Sequence, residues 1–362
     1  MTETGDETAI RAARLVSQLL AGPPAHSVEA VVGRLLAVQA QDARGFRLSV
    51  RSRSTGVVGS DVDHALSTDR SIIVTWLNRG TLHLVAAADY WWLHPLTTPQ
   101  LTAGNERRLG QEGVSAAQVE RGVDVVQEAV TSDGPQTREQ LRDRLDAAGI
   151  PTARQALVHV LVAATLRGHV VRGPMVGGHQ AFVSVPDWLG AAPPALNRDA
   201  ALAMLTRRYL AGHGPAAAAD LAKWAGVTLG DARLGFDAVT DELVPMGPGF
   251  VLRGDRDRST VPFPPPRLLG PFDPLLHGWK SRAPFVGRHS GIVTTNGIFR
   301  PVALVDGRVV GRWSLAGGIV TLTLLEPLAR RTRDALVDDA AKVLRYLELP
   351  DRPAVVIAAG NP

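Results

Sequence analysis

The sequence has no cysteine, and of its 39 lysine and arginine residues only Lys223, Lys280 and Lys342 are lysine. The first absence excludes disulfides, thiolate-bound zinc and iron–sulfur clusters. The second leaves no lysine amine, the usual Schiff-base nucleophile, anywhere before Lys223. Ten histidines occur without cysteine and without a His-Glu-x-x-His pattern, so neither a metal nor another cofactor is expected. Gly278-Trp279-Lys280-Ser281 lacks the preceding glycine spacing of a Walker loop, so no nucleoside triphosphate is expected either. No apolar run is long enough to span a bilayer. The opening Met-Thr-Glu-Thr-Gly-Asp-Glu is acidic and polar, with no signal-peptide core. A soluble cytoplasmic chain with no membrane partner is the expectation.

What is present is a 362-residue chain, 45% hydrophobic and 20% charged, enough for a sizeable core in two or three domains. The net charge of +4 points to an anionic partner. Genomic base composition is the simplest explanation of the preference for arginine over lysine. Whatever its origin, it leaves planar, fork-shaped donors suited to phosphates and base edges.

A loose internal repeat organises the chain: helix, break, helix, turn, helix, hairpin. In the middle copy a helix over Ser115–Ser132 ends at Asp133-Gly134-Pro135. Thr137-Arg138-Glu139-Gln140 then reads as a capping box, and a third helix over Thr152–Arg167 follows. Strands at Gly168–Gly173 and Gln180–Val183 complete it. The next copy runs Arg198–Ala211, Ala216–Trp224 and Leu229–Thr240, with a hairpin of Glu242–Met246 and Phe250–Arg253. In the first copy, helices at Thr8–Leu20, Ser27–Val38, Arg44–Arg53 and Asp61–Ser67 precede strands Ile72–Leu77 and Thr81–Val85. After Pro262 the style changes. Asn296-Gly297 and Asp306-Gly307 are hairpin turns, Ile319–Leu325 is a strand, and Ala329–Leu347 is a closing amphipathic helix. The expected fold is therefore α+β, mainly α: three tandem winged-helix modules (1–105, 106–195, 196–261) and a β-rich C-terminal element (262–362).

Between two helices of the first copy lies Gln39-Ala40-Gln41-Asp42. Two carboxamides one residue apart, then a carboxylate, exceed what one helix end needs for capping. Such a cluster caps a helix, orients a water or reads a base edge, and composition alone does not choose. Arg44, Arg47 and Arg51 follow at spacings of three and four, on one helical face, with Arg53 off it. That face is either a solvated surface or a phosphate-contacting one.

Gln39-Ala40-Gln41, Thr75-Trp76-Leu77-Asn78-Arg79-Gly80-Thr81-Leu82-His83-Leu84-Val85, Gly270-Pro271-Phe272-Asp273 and Pro301–Trp313 together resemble the AlkZ-like family of DNA glycosylases, over most of the chain. The resemblance implies three winged helices around a concave, basic, DNA-binding surface. It also implies excision of bulky N7-alkylguanines and unhooking of interstrand crosslinks, usually as self-resistance to a genotoxic natural product. The family's Gln-apolar-Gln motif maps onto Gln39 and Gln41 as catalytic residues. A branch of the family carries Asp in the second slot, so Gln41 places this chain with the resistance-type enzymes.

A carboxamide accepts from and orients a water but cannot deprotonate it near neutral pH. Two of them therefore suit a base whose N7 alkylation already makes it a good leaving group. Asp42 is a supporting carboxylate or, more simply, a cap. The lysine distribution favours a monofunctional hydrolase. Arg44, Arg47, Arg51, Arg172 and Arg300 are candidate contacts to double-stranded DNA, although Arg172 and Arg300 read more simply as ordinary surface residues. His83 and His159 read as core histidines, His169 and His179 flank a hairpin, and Trp91, Trp92 and Trp279 read as packing anchors. A monomer is expected. The competing classes are a winged-helix transcriptional regulator without catalysis and a drug-sequestering protein with an apolar pocket.

Overall fold

Ser27 accepts a hydrogen bond from the Ala30 N–H at 3.1 Å and starts a helix, as its position in the sequence predicts. The computed structural model describes residues 5–350 and the backbone of 355–359. Helices α1 (Gly5–Ser17) and α2 (Val28–Leu35) come first, then a two-residue strand β1 (Val38–Gln39) and helices α3 (Ala43–Arg51) and α4 (Gly59–Ser67). Strands β2 (Ile72–Leu77) and β3 (Thr81–Ala86) form a hairpin, followed by α5 (Ala87–Thr97) and α6 (Pro99–Gln111). Next come α7 (Ala116–Ser132), α8 (Arg138–Ala147), α9 (Ala156–Leu166), the hairpin β4 (Val170–Val176) and β5 (His179–Ser184), and α10 (Val185–Leu189). Helices α11 (Arg198–His213), α12 (Ala218–Ala225) and α13 (Leu229–Asp237) lead into the hairpin β6 (Leu243–Met246) and β7 (Gly249–Leu252). The last part holds β8 (Arg267–Leu269), α14 (Ala283–Val286), β9 (Val302–Val305), β10 (Arg308–Ala316), β11 (Ile319–Leu324), α15 (Arg330–Tyr346) and β12 (Val355–Ala359). Helices make up nearly half of this α+β chain, and its hairpins are antiparallel.

These elements cluster into two units. One comprises residues 63–201 with 225–227. In it the capping boxes Ser115/Gln118 and Thr137/Gln140 start α7 and α8, each with both reciprocal bonds made. Val119, Val126, Leu141, Leu145, Leu157 and Leu161 pack with Trp76 and Phe182 into one core. The two hairpins are not separate wings. β2 pairs antiparallel with β4 through Val74 and Arg172, so β3, β2, β4 and β5 lie side by side in that order. The expected boundary at 105/106 falls inside α6. That helix belongs to this core, through Leu109, and so does the first hairpin, through Trp76.

The other unit comprises residues 1–62, 202–224 and 228–362. Its C-terminal sheet runs β12-β11-β10-β9-β8, with β11 and β12 parallel. The β9–β10 turn has positive φ at both Asp306 (49°) and Gly307 (73°), the conformation that the Asp-Gly pair predicts. Leu336, Ala340, Val343 and Leu344 of α15 cover the sheet beside Leu268, Ala303, Val310, Trp313, Val320 and Leu322. Leu48 of α3 is buried in the same cluster, so the motif-bearing segment is part of the C-terminal core.

Each unit also buries a histidine. His213 is wholly enclosed against Tyr209, Trp224 and Trp279, and burial pushes its pKa down to about 3. His94 lies near the Thr165 carbonyl at 2.9 Å, and burial lowers its pKa to about 4. Both are neutral in the folded state. In the unfolded chain they titrate near about 6.5, so their contribution is complete above that pH and is lost as the pH falls toward 4. Each steepens the loss by up to about 1.4 kcal/mol per pH unit. Urea unfolding at a series of pH values should show stability falling from about pH 6.5 to 4.5. A flat profile over that window would remove both assignments.

Candidate active site

The glutamine pair gets its geometry from a chain reversal the sequence does not announce. The helix expected through Val38 stops at Leu35, because Leu36 takes φ +64°. Val38 and Gln39 are therefore extended and buried, and the chain bends at Gln41 and Asp42 before α3 begins. Gln39 Nε2 donates to Gln41 Oε1, while Ala40 between them is buried. Gln39 is only 4% exposed, whereas Gln41 is exposed. The pair thus joins a held carboxamide to a solvent-facing one. Gln39 Oε1 is buried and has no hydrogen-bond partner among the described residues. Buried polar atoms are nearly always satisfied, so an acceptor in this state lacks the hydrogen-bond donor that burial ordinarily requires.

Asp42 is the N-cap of α3, its Oδ1 accepting from the Gly45 N–H at 2.6 Å. Its task is to start the helix. The opposite side of α3 is fastened to the C-terminal element. A Cβ on Gly45 would stand 2.5 Å from the Pro271 carbonyl oxygen, and one on Gly270 would stand 2.8 Å from Leu48 Cβ. Only glycine allows this approach. Two residues on, Asp273 takes both terminal nitrogens of Arg53, at 2.9 and 2.8 Å, with both side chains fully buried. Arg53 Nη2 also donates to Gln18 Oε1 at 3.1 Å, and Gln18 Nε2 donates to the Gly212 carbonyl at 2.7 Å. The Gly270–Asp273 segment is thus the seat of α3.

The expected arginine face divides. Arg44 is exposed, with Nη1 at 3.3 Å from the Leu315 carbonyl in β10. Arg47 donates to the Ala43 carbonyl one turn back, at 2.7 Å, and lies over the Phe46 ring. Arg51 turns away from solvent. Its side chain is 9% exposed, and its guanidinium holds Asp339 of α15 through both terminal nitrogens and also donates to the Leu268 carbonyl. Asp339 in turn accepts from the Leu268 N–H at 2.7 Å. The expectation that Arg51 contacts a phosphate is corrected accordingly: a carboxylate within the chain takes its charge.

The model of the family described as DNA glycosylase AlkZ-like matches residues 32–346, from α2 to the end of α15. The chain belongs to the AlkZ-like DNA glycosylase family. It is 30% identical over 366 residues to the interstrand DNA cross-link repair glycosylase of Streptomyces sahachiroi, a match covering 95% of this chain and 97% of the relative. The solved structure of Streptomyces sahachiroi DNA glycosylase AlkZ superposes with a TM-score of 0.80 at 26% identity, covering 99% of this chain and 100% of that one. The protein is a DNA glycosylase, and the purely regulatory and drug-sequestering alternatives fall away.

A DNA glycosylase acts on a polyanion, so the placing of its remaining cations matters. Arg300 is exposed beside the Asn296-Gly297 turn, and its guanidinium has no partner among the described residues. Arg172 is mostly buried, over the rings of Trp76 at 4.7 Å and Phe182 at 4.8 Å. Burial and then the charge of Arg138 lower its pKa to about 10. Of the histidines, His83 is 2% exposed with Nδ1 at 2.9 Å from the Thr81 carbonyl, and His159 Nδ1 lies 2.7 Å from Asn105 Oδ1. Trp279 is a buried anchor whose indole donates to the His213 carbonyl. Among the described residues no group of three or more histidine or acidic side chains could hold a metal ion, and no helix is long and apolar enough to cross a membrane. The buried partners Gln18 and Asp273 escaped the sequence reading as individuals. The match of Gly270-Pro271-Phe272-Asp273 to the family pattern was the available signal.

Proposed function

We propose that this glycosylase hydrolyses the N-glycosidic bond of bulky N7-alkylguanines in duplex DNA and unhooks interstrand crosslinks built on them, as self-resistance to a genotoxic natural product. The observation that carries this reading is the Gln39–Gln41 hydrogen bond that leaves the buried Gln39 Oε1 unpartnered among the described residues. That acceptor takes one hydrogen of a water and aims its lone pair at C1′. As the C1′–N9 bond breaks, its electron pair neutralises the positive charge on the alkylated ring. The water oxygen bonds to C1′ and its proton leaves to solvent, since a carboxamide does not take it. The amide dipoles stabilise the cationic sugar on the way. No acid is needed for the leaving group, so an arrangement without a general acid is sufficient for this lesion class and weak for an uncharged base.

The lack of any lysine before Lys223 supports hydrolysis without a lyase step. The name of the S. sahachiroi relative supports the crosslink. The recurring helix-then-hairpin segments ending in β2–β3, β4–β5 and β6–β7 support a winged-helix reading in which the first two hairpins share one sheet, with 262–362 as the β-rich element that seats α3. Arg44, Arg47 and Arg300 contact the backbone in this reading, and the protein works as a cytoplasmic monomer. A crosslinked guanine cannot swing out freely, so the site is an open groove that accepts an unflipped base. The test is a duplex with one N7-alkylguanine, incubated with the protein and then treated with alkali to cleave abasic sites. Strand breaks at the lesion are expected, and none at unmodified guanine. If no N7 lesion from methyl to crosslink gave breaks, the substrate assignment would be lost.

A further inference from the structure

The unit formed by residues 63–201 and 225–227 has its own cationic cavity, of about 370 Å³. Arg138 and Arg142, one turn apart on α8, line it together with Arg172 of β4 and with His179 and Gln180 of β5. Glu139 is the single carboxylate in the lining. Elsewhere in this unit several arginines find acids: Arg144 pairs with Asp133, Arg154 with Glu112 and Arg167 with Glu120. Around the cavity they do not. Arg138, Arg142 and Arg172 have no ion pair among the described residues. At spacing i, i+4 the first two repel each other. The third forms the floor, held over Trp76 and Phe182.

The floor also carries unmet donors. Arg172 Nε and Gln180 Nε2 are buried and have no hydrogen-bond acceptor among the described residues. A folded chain tolerates a converging set of unpaired cations and orphaned donors when an anion with several acceptor oxygens completes it. The mouth is open, since Arg138, Arg142 and His179 are all exposed. That shape suits a charged group carried on a passing polymer better than an enclosed small ion.

We propose that this cavity is a phosphodiester-binding pocket that grips the backbone of the DNA duplex. The two non-bridging oxygens accept from Arg172 and Gln180 at the floor, and Arg138 and Arg142 close over the charge. The proposal rests on the chain acting on duplex DNA. The pocket serves affinity and leaves bond cleavage to the glutamine pair.

The test uses the full-length protein and a fluorescent undamaged duplex titrated at several salt concentrations. Arg138 and Arg142 are exposed on a capped helix, so Arg138→Ala/Arg142→Ala should fold normally. It should raise Kd by about 5- to 50-fold and lower the slope of log Kd against log salt by about 1–2. Base release from an N7-alkylguanine duplex at limiting enzyme should fall in step with the raised Kd, because the variant loses ground-state binding. A scan of single methylphosphonate substitutions should find a phosphate whose neutralisation weakens wild-type binding and leaves the double variant unchanged. An unchanged Kd and slope would overturn the proposal. So would loss of inorganic phosphate binding with duplex affinity intact, which would make the cavity a small-anion site. A wild-type protein that binds duplex but releases no base would count against the proposed substrate and leave the pocket standing, since Kd still judges it.

Discussion

Gln39→Ala should slow release of an N7-alkylguanine at saturating enzyme by about 10²–10³-fold, the loss expected when a preorganised group acting on the transition state is removed. Duplex affinity should change little. The reasoning follows from burial. Gln39 is 4% exposed and its acceptor is unpartnered among the described residues, so in the proposed mechanism Ala removes the oxygen that orients the water. Gln41→Ala should cost less, about 10–10²-fold, because it leaves that oxygen in place and removes only the partner of Nε2. The ordering is the informative part. Single-turnover rates on a methylated and a bulky duplex, with Kd measured separately, would check it. If both variants kept the wild-type rate, the catalytic assignment would be lost although the enzyme remained a glycosylase. A rise in Kd with the rate unchanged would make the glutamines binding groups.

The parts of the fold written in local chemistry were legible in the sequence. Thr137 and Gln140 specify the start of α8 through their own side chains, and Asp306-Gly307 specifies its turn because both residues tolerate positive φ. The end of α2 was not legible. Leu36 carries no Gly or Pro signal, and the apolar run Leu35–Val38 continues the helical pattern, yet the reversal at Leu36 is what aims Gln39. Helices α5 and α6 were missed for the opposite reason. Pro95 sits inside α5, where proline ordinarily breaks a helical pattern, and Pro99 opens α6 as its first residue. The fate of Arg51 depended on Asp339, 288 residues away, and no local pattern encodes such a pairing. The same holds for Arg138, Arg142 and Arg172, which meet only once the β4–β5 hairpin and α8 are in place.

Asp273→Ala should be the most destabilising single change near the site. It leaves the Arg53 guanidinium charged and fully buried, a situation that costs about 3–5 kcal/mol when one partner of a buried pair is removed. The midpoint of thermal unfolding should fall by roughly 5–10 °C. Gln18, Ser52 and the Ser49 carbonyl still accept from Arg53, but none of them is an anion. Removing both charges should be milder. Arg53→Met/Asp273→Leu fills the space with apolar groups and should recover more than half of the loss, the non-additivity expected of contacting residues. Activity should separate the two roles of the pair. α3 begins immediately after the glutamines, and Arg53, just beyond its last turn, ties that end of the helix to Asp273. The double variant regains stability without regaining that tie, so its base release should remain below wild type even well under its melting temperature. Equal recovery of stability and rate would mean that the ion pair only holds the core. A single Asp273→Ala variant melting within about 1 °C of wild type would mean that α3 is seated by Pro271 and Leu48 packing alone.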